Sequence, residues 1–290
     1  MVPDNSKGIL YLVATPIGNL ADFSFRAVTV LQGVDFIACE DTRHSRPLLE
    51  QYGIIKPLTA LHEHNEDAVS GKIVDRLEQG ESMALISDAG TPLINDPGFP
   101  LLRMALERGL RIVPVPGACA LVAALSASGL PTSRFAFEGF PPRTSAARTA
   151  LLERLADDPR TLVFYESSHR VLDFVKDIAR VFPPQRHLVI ARELTKLHET
   201  ILRCKVADAA LRIEGDPHME KGEFVVLLEG APQLRAKEAL TAEQLRVLTL
   251  LLEECSVKTA SALAAKITGA RKELLYQAAL RLTDKTRPST

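Results

Sequence analysis

Residues 9–14 read Ile-Leu-Tyr-Leu-Val-Ala and run directly into the turn Thr15-Pro16-Ile17-Gly18-Asn19. A short apolar run that ends at turn residues is typical of a buried β-strand. The pattern recurs in the first half of the chain at residues 34–39, 83–87 and 111–115, and helix-like stretches lie between these runs at residues 23–31, 45–52, 65–79 and 99–108. Apolar strands that alternate with helices predict an α/β domain with a parallel sheet covered on both faces.

The later part of the chain repeats this alternation with more β-branched and hairpin-like segments. After a predicted linker at residues 127–131, we expect strands at 135–139, 161–165, 187–191, 200–206 and 223–228, with helices at 146–155 and 171–181. These strands favour a mixed sheet over a purely parallel one. Gly230-Ala231-Pro232 then interrupts the pattern, and three helix-like segments follow at residues 242–254, 259–267 and 271–282.

The last two of these segments flank Thr268-Gly269, which predicts a helix-turn-helix-like module, a device used both for nucleic-acid binding and for dimerisation. The predicted organisation is therefore an α/β domain at residues 1–129, a second α/β domain at 130–232 and a helical module at 237–290.

Charge separates this last module from the rest of the chain. Residues 257–290 hold seven Lys and Arg against two acids, whereas the whole chain has a net charge of −1. A basic appendix on an acidic body is typical of a nucleic-acid handle, although a solvated helical face is the alternative. The predicted RNA contacts there are Lys258, Lys266, Arg271 and Lys272.

Composition excludes several classes of protein. Aromatic residues make up 5% of the chain and Trp is absent, so the sequence lacks the stacking platform typical of single-strand binders. The four cysteines are scattered without a C-x-x-C pair, which argues against a zinc ribbon or a disulfide scaffold and favours a reducing cytosol. No apolar run reaches the ~18 residues of a membrane span, and no targeting segment is recognisable. We therefore predict a cytoplasmic protein without a membrane partner.

Three predicted strands of the first domain end in polar turns, at residues 15–19, 40–43 and 88–92. Ligands of open α/β sheets bind beyond the carboxyl ends of the strands, where helix N-termini and free loop amides point. The three turns therefore predict one site. Asp88, Ala89 and Gly90 would admit a flat adenosyl group without Cβ clashes, but Asp88 capping its own loop is the alternative.

Small residues at Pro116-Gly117-Ala118-Cys119-Ala120 allow close approach either of a ligand or of a packed helix. The absence of a G-x-x-x-x-G-K-[ST] loop and of a G-x-G-x-x-G turn disfavours the usual nucleotide-binding folds, including the commonest methyltransferase fold.

Two charged clusters are candidates for the chemistry. Glu40, Asp41 and Arg43 lie at a predicted helix start, where one acid suffices as a cap and the excess suggests catalysis or phosphate binding. Glu193 and Lys196 follow a predicted strand and are suited to act on a hydroxyl or a phosphate.

Two further segments complete the candidate set. Arg143 and Arg148 belong to a basic loop, predicted to be mobile, that would close over a polyanion. His62 and His64 lack the spacing of a zinc helix, so we predict no metal.

The ordered set of motifs resembles the tetrapyrrole methylase superfamily and, within it, the ribosomal branch that methylates a cytidine 2′-hydroxyl of small-subunit ribosomal RNA. The motifs lie within residues 8–230, namely 10–20, 40–43, 62–66, 87–92 with Asp96-Pro97-Gly98, 116–120 and 191–196. One departure separates the chain from the tetrapyrrole branch, whose turn reads Gly-Asp-Pro where this chain has Ser87-Asp88-Ala89-Gly90.

The resemblance implies two α/β domains with S-adenosylmethionine in the cleft between them, and a homodimer. It implies cofactor contacts from Pro16, Asp88, Ala89, Gly90, Leu93, Ile94, Cys119, Ala120, Tyr165, Leu194, Gly222 and Phe224. The implied substrate is a cytidine of the decoding centre, in free RNA or in an assembled 30S subunit. The alternatives are a tetrapyrrole C-methyltransferase and a non-catalytic RNA-binding assembly protein.

Overall fold

Two five-stranded sheets form the part of the chain that precedes the helical C-terminus. The computed structural model describes residues 7–232 and 240–284. The chain divides into two compact units, residues 1–231 and residues 232–290, and both sheets belong to the first. The predicted start of the helical module at residue 237 and the basic residues Lys285 and Arg287 lie outside the described residues.

The first sheet is wholly parallel, as predicted. Its strands are β1 (Ile9–Val13), β2 (Phe36–Cys39), β3 (Leu58–Ala60), β4 (Met83–Ile86) and β5 (Arg111–Val115), in the order β3-β2-β4-β1-β5. All four residues of the inner strands β2 and β4 are buried. Pro114 has no N–H to donate, and it is tolerated because β5 lies at the edge.

Helices cover both faces of this sheet. They are α1 (Phe25–Gly33), α2 (Thr42–Gln51), α3 (Glu66–Glu78) and α4 (Phe99–Glu107). Apolar residues of α3 and α4 pack with Leu10 and Phe36, while those of α1 and α2 pack with Val13 and Ile37 on the opposite face. The strand β3 was not predicted from the sequence, because three residues are too few to show a period.

The second sheet is mixed, also as predicted. Its strands are β6 (Phe135–Gly139), β7 (Thr161–Ser167), β8 (His187–Arg192), β9 (Thr200–Lys205) and β10 (Glu223–Leu228), in the order β6-β7-β10-β8-β9. Only β6 and β7 are parallel, and the other three pairings are antiparallel. One face is covered by α6 (Ser145–Arg154), α7 (Val171–Val181) and α8 (Val206–Glu214).

The helix α5 (Ala120–Ser128) covers the other face of the second sheet. Its Leu121 and Leu125 pack with Val189 and Leu227, and Ile17 of the first sheet's loop joins the same cluster. The prediction of a linker at residues 127–131 is wrong for its first two residues, because the helix continues through Ser128 and ends at Gly129. The division of this unit at residue 129 stays a prediction.

The second unit contains α9 (Ala242–Glu254), α10 (Val257–Thr268) and α11 (Lys272–Asp284), close to the three predicted helices. Thr241 and Gln244 form a capping box at the start of α9, and Gly269 ends α10 in the left-handed conformation. Leu248 and Leu275 are central to its small core. Nowhere in the described residues is there a helix with the length and apolar character needed to cross a membrane.

Candidate functional site

The turns after β1 and β4 are paired through their backbones. Thr15 N donates to Gly90 O at 2.8 Å, and Gly90 N donates to Thr15 O at 3.1 Å. The buried Thr15 hydroxyl donates to Ser87 O at 3.1 Å. Because β1 and β4 are adjacent parallel strands, both turns leave the same edge of the sheet. The predicted convergence of these two turns is therefore confirmed.

A cavity of about 440 Å³ opens beside the paired turns and reaches the second sheet. This first cavity is lined by Ile17, Asp88, Ala89, Gly90, Thr91, Ile94, Asn95, Asp96, Cys119, Ala120, Phe140, Tyr165, Glu166, Ser167, Ser168, Ala191, Leu194, Gly222, Glu223, Phe224 and Val225. Gly90 has a φ of +90°, and a Cβ there would lie 3.3 Å from Ile17 Cγ2. The turn therefore needs glycine both for its conformation and for its closeness to the neighbouring loop.

Ten of the twelve residues proposed as cofactor contacts line this cavity; the exceptions are Pro16, which lines a neighbouring cavity, and Leu93, which lines neither. Asp88 does not cap its own loop, because its Oδ1 accepts from Asp41 N of the adjacent loop at 3.3 Å. The geometry thus favours the ligand interpretation of this turn.

The charged side chains that line the first cavity are all acidic. They are Asp88, Asp96, Glu166 and Glu223, and no Lys, Arg or His is among the described lining residues. Burial raises the pKa of Asp96 to about 6, against a hydrogen bond from Ser87, and the nearby Glu40 and Asp88 raise it further. Burial also raises the pKa of Glu166, which is 2% exposed. Such a lining favours a cationic ligand.

Tyr165 forms the aromatic end of the cavity. Its hydroxyl accepts from Leu121 N at 3.1 Å, and its ring makes edge contacts with Phe137 and Phe140. Burial, followed by the neighbouring Cys119, raises the Tyr165 pKa above its usual value, so the phenol stays neutral. Ser167 and Ser168 also line the cavity, and α7 begins at Val171 without a side-chain cap.

A second cavity, of about 280 Å³, adjoins the first. It is lined by Pro16, Ile17, Gly18, Leu20, His44, Ser45, Leu48, Ser87, Asp88, Ala89, Lys196 and Glu223. Four of these, Ile17, Asp88, Ala89 and Glu223, also line the first cavity. The turn after β4 and the start of β10 thus form a shared wall.

Lys196 holds this wall together. Its Nζ donates to Glu193 Oε1 at 2.8 Å and to Glu223 Oε2 at 3.0 Å. Burial alone would lower the Lys196 pKa, but hydrogen bonds to the two carboxylates outweigh it and raise that pKa. Burial alone would raise the Glu193 pKa, but the hydrogen bonds from Lys196 and from Glu223 N outweigh burial and lower that pKa. The lysine is therefore a cation and not a neutral base.

Residues 9–210 match the family model for tetrapyrrole (corrin/porphyrin) methylases. The chain belongs to the tetrapyrrole methylase family. The ribosomal RNA small subunit methyltransferase I of Pseudomonas aeruginosa is 52% identical, covering 97% of this chain and 100% of that protein. The protein of the same name from Escherichia coli O157:H7 is 50% identical, covering 96% of each.

Two further comparisons concern the C-terminal helices and the fold. Residues 238–283 match a model described as the RsmI C-terminal HTH domain. The uroporphyrin-III C-methyltransferase of Thermus thermophilus, complexed with S-adenyl homocysteine, has a TM-score of 0.53 at 18% identity, covering 76% of this chain and 97% of that one. This last likeness concerns the tetrapyrrole methylase fold alone.

The acidic cluster after β2 of this tetrapyrrole methylase is arranged differently from the prediction. Asp41 caps α2, accepting from Arg43 N at 2.8 Å, and the Arg43 guanidinium donates to the same carboxylate. These hydrogen bonds lower the Asp41 pKa to about 2. Neither residue lines either of the two cavities; Asp41 acts as the helix cap, and a catalytic role for the pair stays a prediction. Glu40 also lines neither cavity, and burial, followed by Asp88, raises its pKa.

Arg148 is not placed for the predicted contact with RNA phosphates. It is 5% exposed and its guanidinium lies 2.7 Å from Asp177. Its Nη1 donates to Arg143 O at 2.8 Å, and Arg170 Nη2 donates to Pro142 O at 3.0 Å. The loop predicted to be mobile is thus fixed by two arginines, and of the two predicted contacts only Arg143 is exposed.

Backbone strain in this methylase is concentrated at the cavities. Among the described residues, the non-glycine residues with positive φ are Leu93, Asn95, Glu193 and Thr195. They lie in the loops after β4 and β8, both of which border the first cavity. Left-handed backbone costs about 1–3 kcal/mol per residue and is found where function requires a fixed geometry.

Several lining residues were missed from the sequence. Glu223 was expected only as part of the strand start between Gly222 and Phe224, without a role for its carboxylate, and Phe140 precedes a loop singled out only for its charge. Asp96 stands in a quoted motif and His44 directly follows one, but neither was assigned a role. No group of three or more His, Cys, Asp and Glu suited to a metal ion occurs in the described part of the chain.

Proposed function

We propose that this protein transfers a methyl group from S-adenosylmethionine to the 2′-hydroxyl of a cytidine in small-subunit ribosomal RNA. The substrate is free RNA or an assembled 30S subunit, and the target cytidine belongs to the decoding centre. The observation that carries the proposal is the first cavity, which is lined by acids and by the small turns of both sheets.

The cavity fits the methyl donor in charge and in shape. S-adenosylmethionine carries a sulfonium and an ammonium against one carboxylate, so it is a net cation. Asp88, Asp96, Glu166 and Glu223 supply complementary charge. Ala89 and Gly90 on one side and Cys119 and Ala120 on the other leave room for a flat adenosyl group.

The relatives support an RNA substrate over a tetrapyrrole. Two proteins that are about half identical over nearly their full lengths are named as ribosomal RNA small subunit methyltransferases. The tetrapyrrole enzyme matches at 18% identity, which concerns the fold alone. A non-catalytic assembly protein, the remaining alternative, would not bind the methyl donor.

The proposed site residues follow from the cavities. The cofactor contacts are the ten predicted residues that line the first cavity, with Pro16 and Leu93 in supporting positions. Glu193 and Lys196 orient Glu223, and Glu40 adds negative charge behind Asp88. Arg143, Lys258, Lys266, Arg271 and Lys272 are the proposed RNA contacts.

When bound, S-adenosylmethionine supplies a methyl carbon that the ribose oxygen attacks while the sulfur keeps the bonding electron pair. The residues of the shared wall have two tasks. They align the hydroxyl, which lowers the barrier by up to about 7–11 kcal/mol for a well-held pair. A wall carboxylate, Asp88 or Glu223, also accepts the hydroxyl proton, for which about 10²–10⁴-fold is typical.

Asp88→Ala tests the proposal. The variant removes one of the two carboxylates that line both cavities, so calorimetry should show at least a tenfold loss of S-adenosylmethionine affinity. Asp75→Ala, an exposed acid within α3, is the matched control and should bind like the wild type. If the Asp88 variant bound S-adenosylmethionine as tightly as the wild type, the turn would not be part of the site. If the wild type itself did not bind S-adenosylmethionine, the non-catalytic assembly protein would be the better interpretation.

The setting of the activity is also part of the proposal. We place the protein in the cytoplasm, without a membrane partner, because ribosomal subunits are found there. A homodimer is the proposed assembly.

A further inference from the structure

The second cavity has a lining unlike that of the first. Beside Asp88 and Glu223 it contains the ammonium of Lys196 and the imidazole of His44, whereas the described lining of the first cavity holds no Lys, Arg or His. Pro16, Leu20 and Leu48 supply apolar surface. A site that combines apolar walls with an ammonium and an imidazole is suited to a nucleotide, whose flat base and anionic backbone need both kinds of surface.

The shared wall makes the two cavities neighbouring compartments. Ile17, Asp88, Ala89 and Glu223 each line both of them. A donor held in one cavity and an acceptor held in the other would therefore meet at these four residues.

Lys196 has a hydrogen-bonding position left for a ligand. An ammonium group has three N–H donors, and two of them are used by Glu193 and Glu223. Gly18 lets the lysine lie there, because a Cβ on Gly18 would come within 2.3 Å of Lys196 Cγ. The third donor has no partner among residues 7–232 and 240–284, so it is available to a sugar or phosphate oxygen in the second cavity.

The size of the second cavity limits its occupant. About 280 Å³ accommodates one nucleoside but not a stacked pair of bases or a duplex. A base within a helix would have to leave its stack to enter, as happens in other enzymes that act on single nucleotides.

We propose that the second cavity, lined by Pro16, Gly18, Leu20, His44, Leu48 and Lys196, receives a single RNA nucleotide extruded from its stack, with its 2′-hydroxyl toward Asp88 and Glu223 on the shared wall. The inference rests on the proposed function. It adds where the acceptor binds, that the RNA is unstacked there, and which two carboxylates reach the hydroxyl.

The test fills the cavity from its rim. His44 is an exposed residue of α2 that lines only the second cavity, so His44→Trp obstructs that cavity and leaves the first intact. Gln51→Trp, an exposed position at the end of the same helix and outside both cavities, is the matched control. Both variants should unfold at the temperature of the wild type.

Three measurements are compared. Calorimetry with S-adenosylmethionine should give affinities within about twofold for all three proteins. Methyl transfer to the 30S subunit or its RNA should fall about 100-fold in His44→Trp alone, the loss typical of a misplaced reactant. Pyrrolo-cytidine at the position that the wild type methylates should brighten on binding to the wild type and to Gln51→Trp, but not to His44→Trp.

The outcomes separate the two proposals. A wild-type protein that binds no S-adenosylmethionine, or methylates no RNA, contradicts the proposed function before any variant is made. If the wild type is active, then transfer at the wild-type rate by His44→Trp, or unchanged pyrrolo-cytidine fluorescence in the wild-type complex, overturns the second cavity as the acceptor site.

Discussion

At the scale of single residues, Asp96 is set apart by where it lies. It lines the first cavity close to Asp88 and Glu40, and burial with these neighbours raises its pKa to about 6. A cationic ligand in the cavity favours the ionised form, so binding and deprotonation of Asp96 are linked. The electrostatics of one carboxyl thus make cofactor affinity depend on pH.

Asp96→Asn should remove this dependence. In the wild type, S-adenosylmethionine should bind more weakly as pH falls from about 7 to 5, because the carboxyl becomes neutral below its pKa of about 6. Calorimetry across that range should show a step for the wild type and a nearly flat line for the variant. A step of equal size in the variant would assign the titration to another group.

The raised pKa of Asp96 also makes the stability of the ligand-free protein depend on pH, in the opposite direction from cofactor affinity. The Asp96 pKa is raised from its ordinary value of 3.8 to about 6 in the folded protein. The stability that this group contributes is therefore fully present below pH 3.8 and is lost as pH rises through about 6. Without ligand, Asp96→Asn should therefore gain about 1–2 kcal/mol over the wild type at pH 8, after allowance for screening of a partly exposed group. Denaturant unfolding at pH 8 and pH 4 measures the difference, which should vanish at pH 4.

At the scale of elements, the loop between β6 and α6 is held by a buried ion pair. Arg148 and Asp177 are 6% and 2% exposed at their side chains, and Ser145 Oγ also donates to Asp177 Oδ1 at 2.8 Å. Through Arg143 O, this pair fixes the loop that follows Phe140, a residue of the first cavity. An arginine that looks like an RNA contact in the sequence is thus a support for the cavity wall.

Arg148→Met should destabilise the protein by up to about 3–5 kcal/mol, because it removes the buried partner of the Asp177 carboxylate and leaves it with the exposed Arg180 and with Ser145. Arg143→Met, in the same loop but exposed, should change the free energy of unfolding by less than about 0.5 kcal/mol. Urea unfolding measures both. A loss below about 1 kcal/mol in Arg148→Met would mean that the pair contributes little to the fold.

At the scale of the whole molecule, the first cavity and the C-terminal unit carry charged side chains of opposite sign. The first cavity is lined by acids, while the helical C-terminal unit presents exposed Lys258, Lys266, Arg271 and Lys272. Lys266, Arg271 and Lys272 flank the turn at Gly269 between α10 and α11. None of the four forms an ion pair within the described residues, so all are available to phosphates.

Replacing these four cations by Gln should weaken RNA binding and reduce its salt dependence. Each phosphate contact contributes about 0.7–0.9 to the slope of log affinity against log salt, so the slope should fall by about 3. Filter binding at several salt concentrations measures it. Gln at four exposed cations of the first unit, Arg103, Arg154, Lys205 and Arg212, is the matched control. If the slope were unchanged in the variant of the four C-terminal cations, these residues would form a solvated helical face and not an RNA contact.

The sequence by itself determined the parallel first sheet, the mixed second sheet, the three C-terminal helices and the meeting of the turns at Thr15 and Gly90. These features depend on local period and on the rule that adjacent parallel strands end at one edge, both of which are readable along the chain. The strand β3 could not be predicted from the sequence, because a strand of three residues shows no period.

Only the tertiary structure decided which polar side chains face a cavity. Arg148 and Arg143 look alike in the sequence, yet one is buried against Asp177, 29 residues away. Lys196 lies over Gly18, and Glu223 joins two cavities, through contacts between distant segments. Burial, pKa and shared walls depend on such long-range packing, which local patterns do not encode.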